Sequence, residues 1–425
     1  MRAFKHKAWY GGIAIGLLVG FLFLNGSIAL AEQHTSQSVP VILLPKSGLS
    51  ADEVAVIVNT ADKNSVEIAR YYLKLRKIPD KNLFEISFTP GTAELNRKEF
   101  QALYSSLTQR LPANIQALVL TWNIPYRVDC MSITTAFAMG FSEEHCANGC
   151  EATKASPYYD SNSLQPFTDH AVRPAMMLAG ESLDQVKQLI QRGLRSDGAF
   201  PSGTGYLVET SDRFRNTRSY IYDRLIARMR GIVDLERINT DYIKNRNDVL
   251  FYFIGAAQVE DVSTNVFLPG AIADHLTSKG GMLDGSDQMS SLAWLSAGAT
   301  GSYGAVIEPC NFPQKFPNLG VVVSRYLQGE SLIEAYWKSV EMPGQGLFIG
   351  EPLATPFGGY KYTTSGDSIV VTTYALRPGS YSLEASTYGV GPYKKVKEFT
   401  KSDLGAARLT IKKGHDLFYR VTQNS

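Results

Sequence analysis

The chain has 425 residues, of which 44% are hydrophobic and 19% charged, a balance that predicts a folded body and excludes a disordered one. That length predicts two or three domains. The formal net charge is +2; without Arg2, Lys5 and Lys7, which fall in an N-terminal leader, 39 Lys and Arg face 40 Asp and Glu, and this near-neutral balance provides no electrostatic footprint for nucleic acid.

Residues 1–31 have the pattern of a secretory signal peptide: a basic start, a charge-free run from Ala8 to Ala31 containing GIAIGLLVGFLFL, and an Ala29-Leu30-Ala31 cleavage site. The same run is long enough to span a bilayer, so an uncleaved anchor is the alternative, and it is the membrane contact expected of this chain. Either way the body is exported, to the periplasm or the extracellular space. Residues 32–50 read as an exposed entry strand or tether.

The body then alternates. VAVIV at 54–58 is a buried strand, a helical pattern runs from Ser65 to Leu75 and stops at Ile78-Pro79, and 83–88 is a second strand. A helix over 95–111 and a strand at 117–122 follow. This order predicts βαβ units and a mostly parallel sheet with flanking helices over 51–360. Residues 123–172 interrupt it with an irregular insertion rich in Ser, Asn, Pro, Tyr and Cys.

Regularity resumes with a strand at 174–178, a helix at 183–194 and a strand at 205–209. A helix is predicted over 215–230, with Arg215, Arg218, Arg224, Arg228 and Arg230 as a solvated face or an anion-binding one. VLFYFI at 249–254 is the most apolar strand. Helices are expected at 270–278 and 289–296, a strand at 304–307, helices at 321–327 and 332–340, and a short strand at 347–349. From residue 366 to 425 the pattern alternates with period two, which predicts a small antiparallel β-sandwich.

Four cysteines are present: Cys130, Cys146 and Cys150 in the irregular stretch, and Cys310 far from them. In an oxidising compartment they pair, and three connectivities exist. The simplest is one disulfide inside the first group, Cys130 to Cys146 or to Cys150, with Cys310 a candidate free thiol. Zinc on Cys146, Cys150 and His145 lacks a fourth ligand, so no metal and no cofactor is expected.

Function is expected in residues 270–357, where Gly270, Gly280, Gly281, Gly285, Gly298, Gly301 and Gly304 crowd together. Glycine costs about 0.5–1 kcal/mol inside an element and is kept where backbone must approach something closely. A thiol–imidazole pair of Cys310 and His275 is the catalytic candidate, with Glu308 or Asp274 orienting the base. Glu308 and Glu351 each follow a short strand and precede proline, so both are expected at one sheet edge. Asp274, Gly301, Tyr303 and Glu351 are the candidate binding residues.

The blocks DHLTSKGG, WLSAGATGSYGAVIEPCNFPQKFPN, YLQGESLIEAYWKSV and GLFIGEPLATPF, with VAVIVNT, ARYYLKLRKIP, NIPYRV and RPAMMLAG, resemble an uncharacterised exported bacterial family. That family occurs in genomes carrying exosortase, the proposed sorting transpeptidase of the PEP-CTERM system. A more distant resemblance is to gingipain-like cysteine peptidases of the caspase-like fold. Gly350-Glu351-Pro352 resembles their Gly-Asp-Pro block, and 366–425 their immunoglobulin-like domain. The resemblance implies a histidine after VLFYFI, where Gly255-Ala256-Ala257 stands, and a cysteine near LTSKGG, where Thr277 and Ser278 stand. The expected function is therefore a divergent or non-catalytic peptidase-like protein that binds a peptide or protein partner in envelope protein sorting. The alternative is a thiol hydrolase using Cys310 and His275.

Overall fold

The computed structural model describes residues 40–425 apart from Asn148, Lys413 and Ser425. The expected leader and residues 32–39 of the expected tether lie outside the described residues. After β1 (Val41–Leu43) the chain forms β2 (Val54–Asn59), α1 (Lys63–Arg76), β3 (Leu83–Ile86), α2 (Arg97–Arg110) and β4 (Ala117–Leu120). The irregular stretch holds a two-stranded hairpin, β5 (Arg127–Val128) with β6 (Met131–Ser132), and two short helices, α3 (Ile133–Met139) and α4 (Pro166–His170). Then come β7 (Ala175–Met177), α5 (Leu183–Ser196), β8 (Thr204–Glu209), α6 (Tyr222–Met229), β9 (Asp234–Asn239) and β10 (Val249–Gly255). The α/β part closes with β11 (Phe267–Leu276), α7 (Leu292–Ala297), β12 (Gly301–Ala305), α8 (Leu319–Leu327), α9 (Leu332–Ser339) and β13 (Gly346–Gly350).

Local chemistry sets the ends of these helices. The Asp62 carboxylate accepts from the Asn64 N–H at 2.9 Å and starts α1, and Lys77, at φ 54°, ends it by donating its N–H to Leu73 O. Ser331 and Glu334 form a capping box at the start of α9, and Glu334 also accepts from the Leu49 N–H at 2.8 Å.

Ten strands share one sheet in the order β3-β2-β4-β7-β13-β12-β11-β10-β8-β9. Neighbours are parallel everywhere except at β12 against β13, which pair antiparallel from Gly301↔Gly350 to Ala305↔Gly346. The sheet is therefore two five-stranded parallel halves running in opposite directions. The C-terminal ends of one half and those of the other lie on opposite rims. Strands buried on both faces, such as β2, β4 and β10, are continuous apolar runs, as a sheet covered by helices requires.

Four expectations need correction. Residues 270–278 are not a helix but the second half of β11, buried from Gly270 to Leu276. A short run buried on both sides has no period to separate strand from helix. The predicted helix over 215–230 shortens to α6, preceded by a single 3-10 turn at 219–221, so Arg215 and Arg218 lie on a loop. The edge strand β9 was not anticipated, because DLERIN has a mostly polar, half-exposed pattern. Of the two readings of 41–50 the entry strand holds and the tether does not: β1 pairs parallel with the last strand of the chain, and Ile42 and Leu49 are buried rather than exposed.

After residue 360 come β14 (Lys361–Ser365), β15 (Ser368–Thr373), β16 (Gly379–Ser386), β17 (Lys394–Lys401), β18 (Ala407–Lys412) and β19 (Phe418–Gln423). They form two sheets, β14-β15-β18 and β1-β19-β16-β17, antiparallel apart from β1 with β19. Both contribute to one apolar core, with Ile369, Val371 and Leu409 from the first sheet and Ile42, Leu383 and Val421 from the second. Polar groups tie this part to the α/β part. Fully buried Glu330 pairs with Lys338 at 2.7 Å and with Arg377 at 2.8 Å. Such a charge is tolerated in the interior only when paired.

Candidate functional site

The rim formed by β10, β11 and β12 carries the candidate site. Gly255 pairs with Leu276 and Ile272 with Gly301, so these three strands run side by side and end at this rim. In open α/β sheets, ligands bind beyond the C-terminal ends of the strands. Three loops cross here: residues 210–218, 277–291 and 306–318.

The glycines bring these loops onto the strands. A Cβ on Gly255 would lie 2.0 Å from Arg215 O, so the backbone of the first loop rests directly on the end of β10. A Cβ on Gly304 would come within 2.3 Å of the Gly280 carbonyl carbon, and the Gly281 N–H donates to Ala305 O at 2.8 Å. The crowding that marked 270–357 is therefore largely backbone against backbone. Gly301 and Tyr303 are buried strand residues, and neither forms a binding surface. Tyr303 packs edge-on against Phe348 and donates its hydroxyl proton to Lys315 O at 2.5 Å.

The catalytic pair is not assembled. Cys310 is bonded to Cys150, and Cys130 to Cys146, each with Cα atoms 5.4 Å apart. Cys310 thus has no thiol to offer, which overturns the thiol hydrolase reading. His275 is fully buried; its Nε2 donates to Met289 O at 2.9 Å and its Nδ1 accepts from Trp294 Nε1–H at 2.9 Å. Burial holds its pKa down to about 4, so the ring is a neutral, doubly committed core group. Asp274 points to the opposite face of β11 and pairs with buried Arg218 at 2.7 Å, outside hydrogen-bond alignment. Burial raises its pKa, and Arg218 opposes that shift. It does not orient His275. Glu308 is exposed and accepts from the Cys310 N–H at 2.7 Å, a cap on a turn where Cys310 has φ 54°.

Glu351 is at the other rim. Its N–H donates to Thr300 O at 3.0 Å, before β12 begins, because β13 runs against β12. It is a buried partner of Arg76, whose Nε reaches Glu351 Oε1 at 2.9 Å and whose Nη2 bonds Oε2. The two carboxylates expected together are separated by the length of the strands.

The rim brings other residues together. A cavity of about 310 Å³ is walled by Phe214, Arg215, Thr277, Ser278, Phe316 and the Cys150–Cys310 disulfide. Thr277 Oγ1 accepts from Arg215 Nε at 3.0 Å and donates to Gln288 Oε1 at 2.7 Å, and Arg215 is held in turn by Asp212 at 2.8 Å. Glu308 lines the same cavity, and among the described residues no histidine or carboxylate is hydrogen-bonded to Ser278 or Thr277. Phe316 also walls a second cavity of about 180 Å³ with Arg218 and Tyr220, and Tyr159 and Asn318 join that one to a third of about 460 Å³. Phe214 and Tyr220 stand 79% and 74% exposed on this row of cavities. Sequence reasoning missed both aromatics; the available signal was their place just after a strand, in the loop at its C-terminal end. Among the described residues no group of metal ligands is assembled, and no helix is long and apolar enough to cross a membrane. Searches against protein-family models, curated proteins and solved structures match nothing to this chain.

Proposed function

We propose that this rim binds an extended polypeptide segment without cleaving it. The observation that carries the reading is the row of three adjoining cavities, flanked by exposed Phe214 and Tyr220, on a rim where Cys310 is held in a disulfide and His275 is buried. Exposed aromatics beside desolvated pockets are the usual anchors of peptide recognition. A caspase-like, gingipain-like core is the fold we favour. The strands β12-β11-β10-β8-β9 with one antiparallel neighbour support it, and so do the small β-sheets that follow. The two disulfides are compatible with an exported protein. The resemblance to the exosortase-associated family makes an envelope protein in transit the natural partner.

The test is selection from a random-peptide display library on the chain starting at Glu32, followed by affinity measurement with the selected peptides. The Phe214→Ala/Tyr220→Ala variant should lose binding about tenfold or more, and the peptides should be recovered intact. Equal binding by the double variant would remove the groove from the reading. Cleavage of the peptides that disappears in Ser278→Ala would replace binding by hydrolysis.

A further inference from the structure

The second apolar surface is far from this groove, at one end of the four-stranded sheet β1-β19-β16-β17. The β16–β17 connection, residues 387–393, ends in Val390, which is 99% exposed, with Tyr388 at 67%. This tip is built, not frayed. The Gly391 N–H donates to Tyr388 O at 3.0 Å, and the Tyr393 hydroxyl donates to Gly389 O at 2.9 Å. Gly389 lies against the Phe418 ring, where a Cβ would come within 3.1 Å, and the Arg420 guanidinium sits 4.2 Å above the Tyr393 ring. The fold holds Val390 out into solvent.

Register places more apolar surface beside it. Ala385 pairs with Lys394, and Phe418 pairs with both Ser386 and Val41, so the starts of β1 and β19 share this end with the tip. Val41 is 45% and Leu417 39% exposed there. The chain arriving from the charge-free N-terminal run also enters the fold here, at Val41.

The charge of this part is distinct. Residues 361–425 carry ten Lys and Arg against five Asp and Glu, while residues 32–360 carry 29 against 35. Beside the tip, Lys394 is exposed, Lys395 pairs with Glu398 at 2.6 Å, Arg420 pairs with Glu384 at 2.6 Å, and Lys397 donates only to Thr410 O. Among the described residues, Asp416 is a further carboxylate at this end, next to Leu417, whose N–H donates to Ser386 O. A projecting valine with a tyrosine at its base, beside Lys394 and Lys397, which form no ion pair among the described residues, is complementary to the interface of an anionic bilayer: apolar atoms among the acyl chains, the phenol and ammonium groups among the headgroups.

We propose that the end of the C-terminal β-module bearing Val390, Tyr388 and Leu417 docks on an anionic lipid surface, independently of the peptide groove. The experiment is co-sedimentation of the chain starting at Glu32, which lacks the apolar N-terminal run, with phosphatidylcholine vesicles containing or lacking phosphatidylglycerol. Binding should require phosphatidylglycerol, weaken as salt rises, and fall about tenfold in Val390→Glu. Lys394→Glu should weaken it severalfold. Both positions are exposed, so far-UV circular dichroism should match the parent. Equal binding by parent and Val390→Glu, no binding to either vesicle, or binding indifferent to phosphatidylglycerol overturns the proposal. So does self-association in vesicle-free solution that Val390→Glu abolishes, which would assign the tip to a second copy of the chain.

Discussion

Trp294 fixes the protonation state of His275: its indole N–H occupies Nδ1 at 2.9 Å, which leaves the imidazole proton on Nε2 to reach Met289 O. The folded ring takes a second proton only near pH 4, whereas an unfolded imidazole takes one near pH 6.5. The stability gained from keeping it neutral is complete above the unfolded value and is lost as the pH falls toward 4. Between pH 7 and pH 5 the loss is on the order of 2 kcal/mol. Urea midpoints over that range should decline less in His275→Gln than in the parent protein. His145, whose pKa burial also lowers, contributes with the same sign in both proteins, so the difference isolates His275. Parallel slopes in the two proteins would disprove the buried neutral state.

The oxidised protein should react with no thiol reagent, even when unfolded, until it is reduced, because all four cysteines are paired. Cys310→Ser removes a link between residues 160 positions apart. The expected cost is about 2–4 kcal/mol of unfolding free energy, chiefly through the larger unfolded ensemble. Denaturant titration of the variant, with mass spectrometry of the alkylated parent, checks both statements.

At the far rim, Arg76→Met should strand the Glu351 carboxylate in the interior and cost about 3–5 kcal/mol. Replacing both partners, as Arg76→Met/Glu351→Leu, should recover a large part of that cost. A double-mutant cycle in urea measures the coupling. Peptide binding at the β10–β12 rim should be unchanged in the double variant, since Glu351 lies on the opposite side of the sheet.

Gly304→Ala sets a methyl group against the backbone of Gly280 and Gly281, atoms that no side-chain rotation can move away. Destabilisation of about 1–3 kcal/mol is expected, as for other overpacked sites. Gly285→Ala has open space around it but φ 104°, so its smaller cost would come from backbone conformation alone. Thermal melts of the two variants separate close packing from conformation.

Much of the fold was legible because its strands are short and apolar and its helices amphipathic: β2, β4, β10 and α5 lie close to where their patterns put them. What the residues did not disclose was polarity in space. GAIADHL has the same composition whether it is wound or extended, and only its burial on both faces made it a strand. Nothing in GLFIG says that β13 runs against β12, and that one reversal moved Glu351 to the other rim. The glycine crowding correctly marked where backbones meet, yet it could not say whether the neighbour was a ligand or the chain itself. Cys150 and Cys310 lie far apart in sequence, and their pairing belongs to the tertiary fold.

The reversal at β12–β13 gives the scaffold two mouths. The loops after β2, β4 and β7 open at one rim, around a fourth cavity, of about 230 Å³, near Asn64 and Asn123, and the loops after β10, β11 and β12 open at the other. Both mouths are built on one continuous sheet, and the length of its strands sets the distance between them.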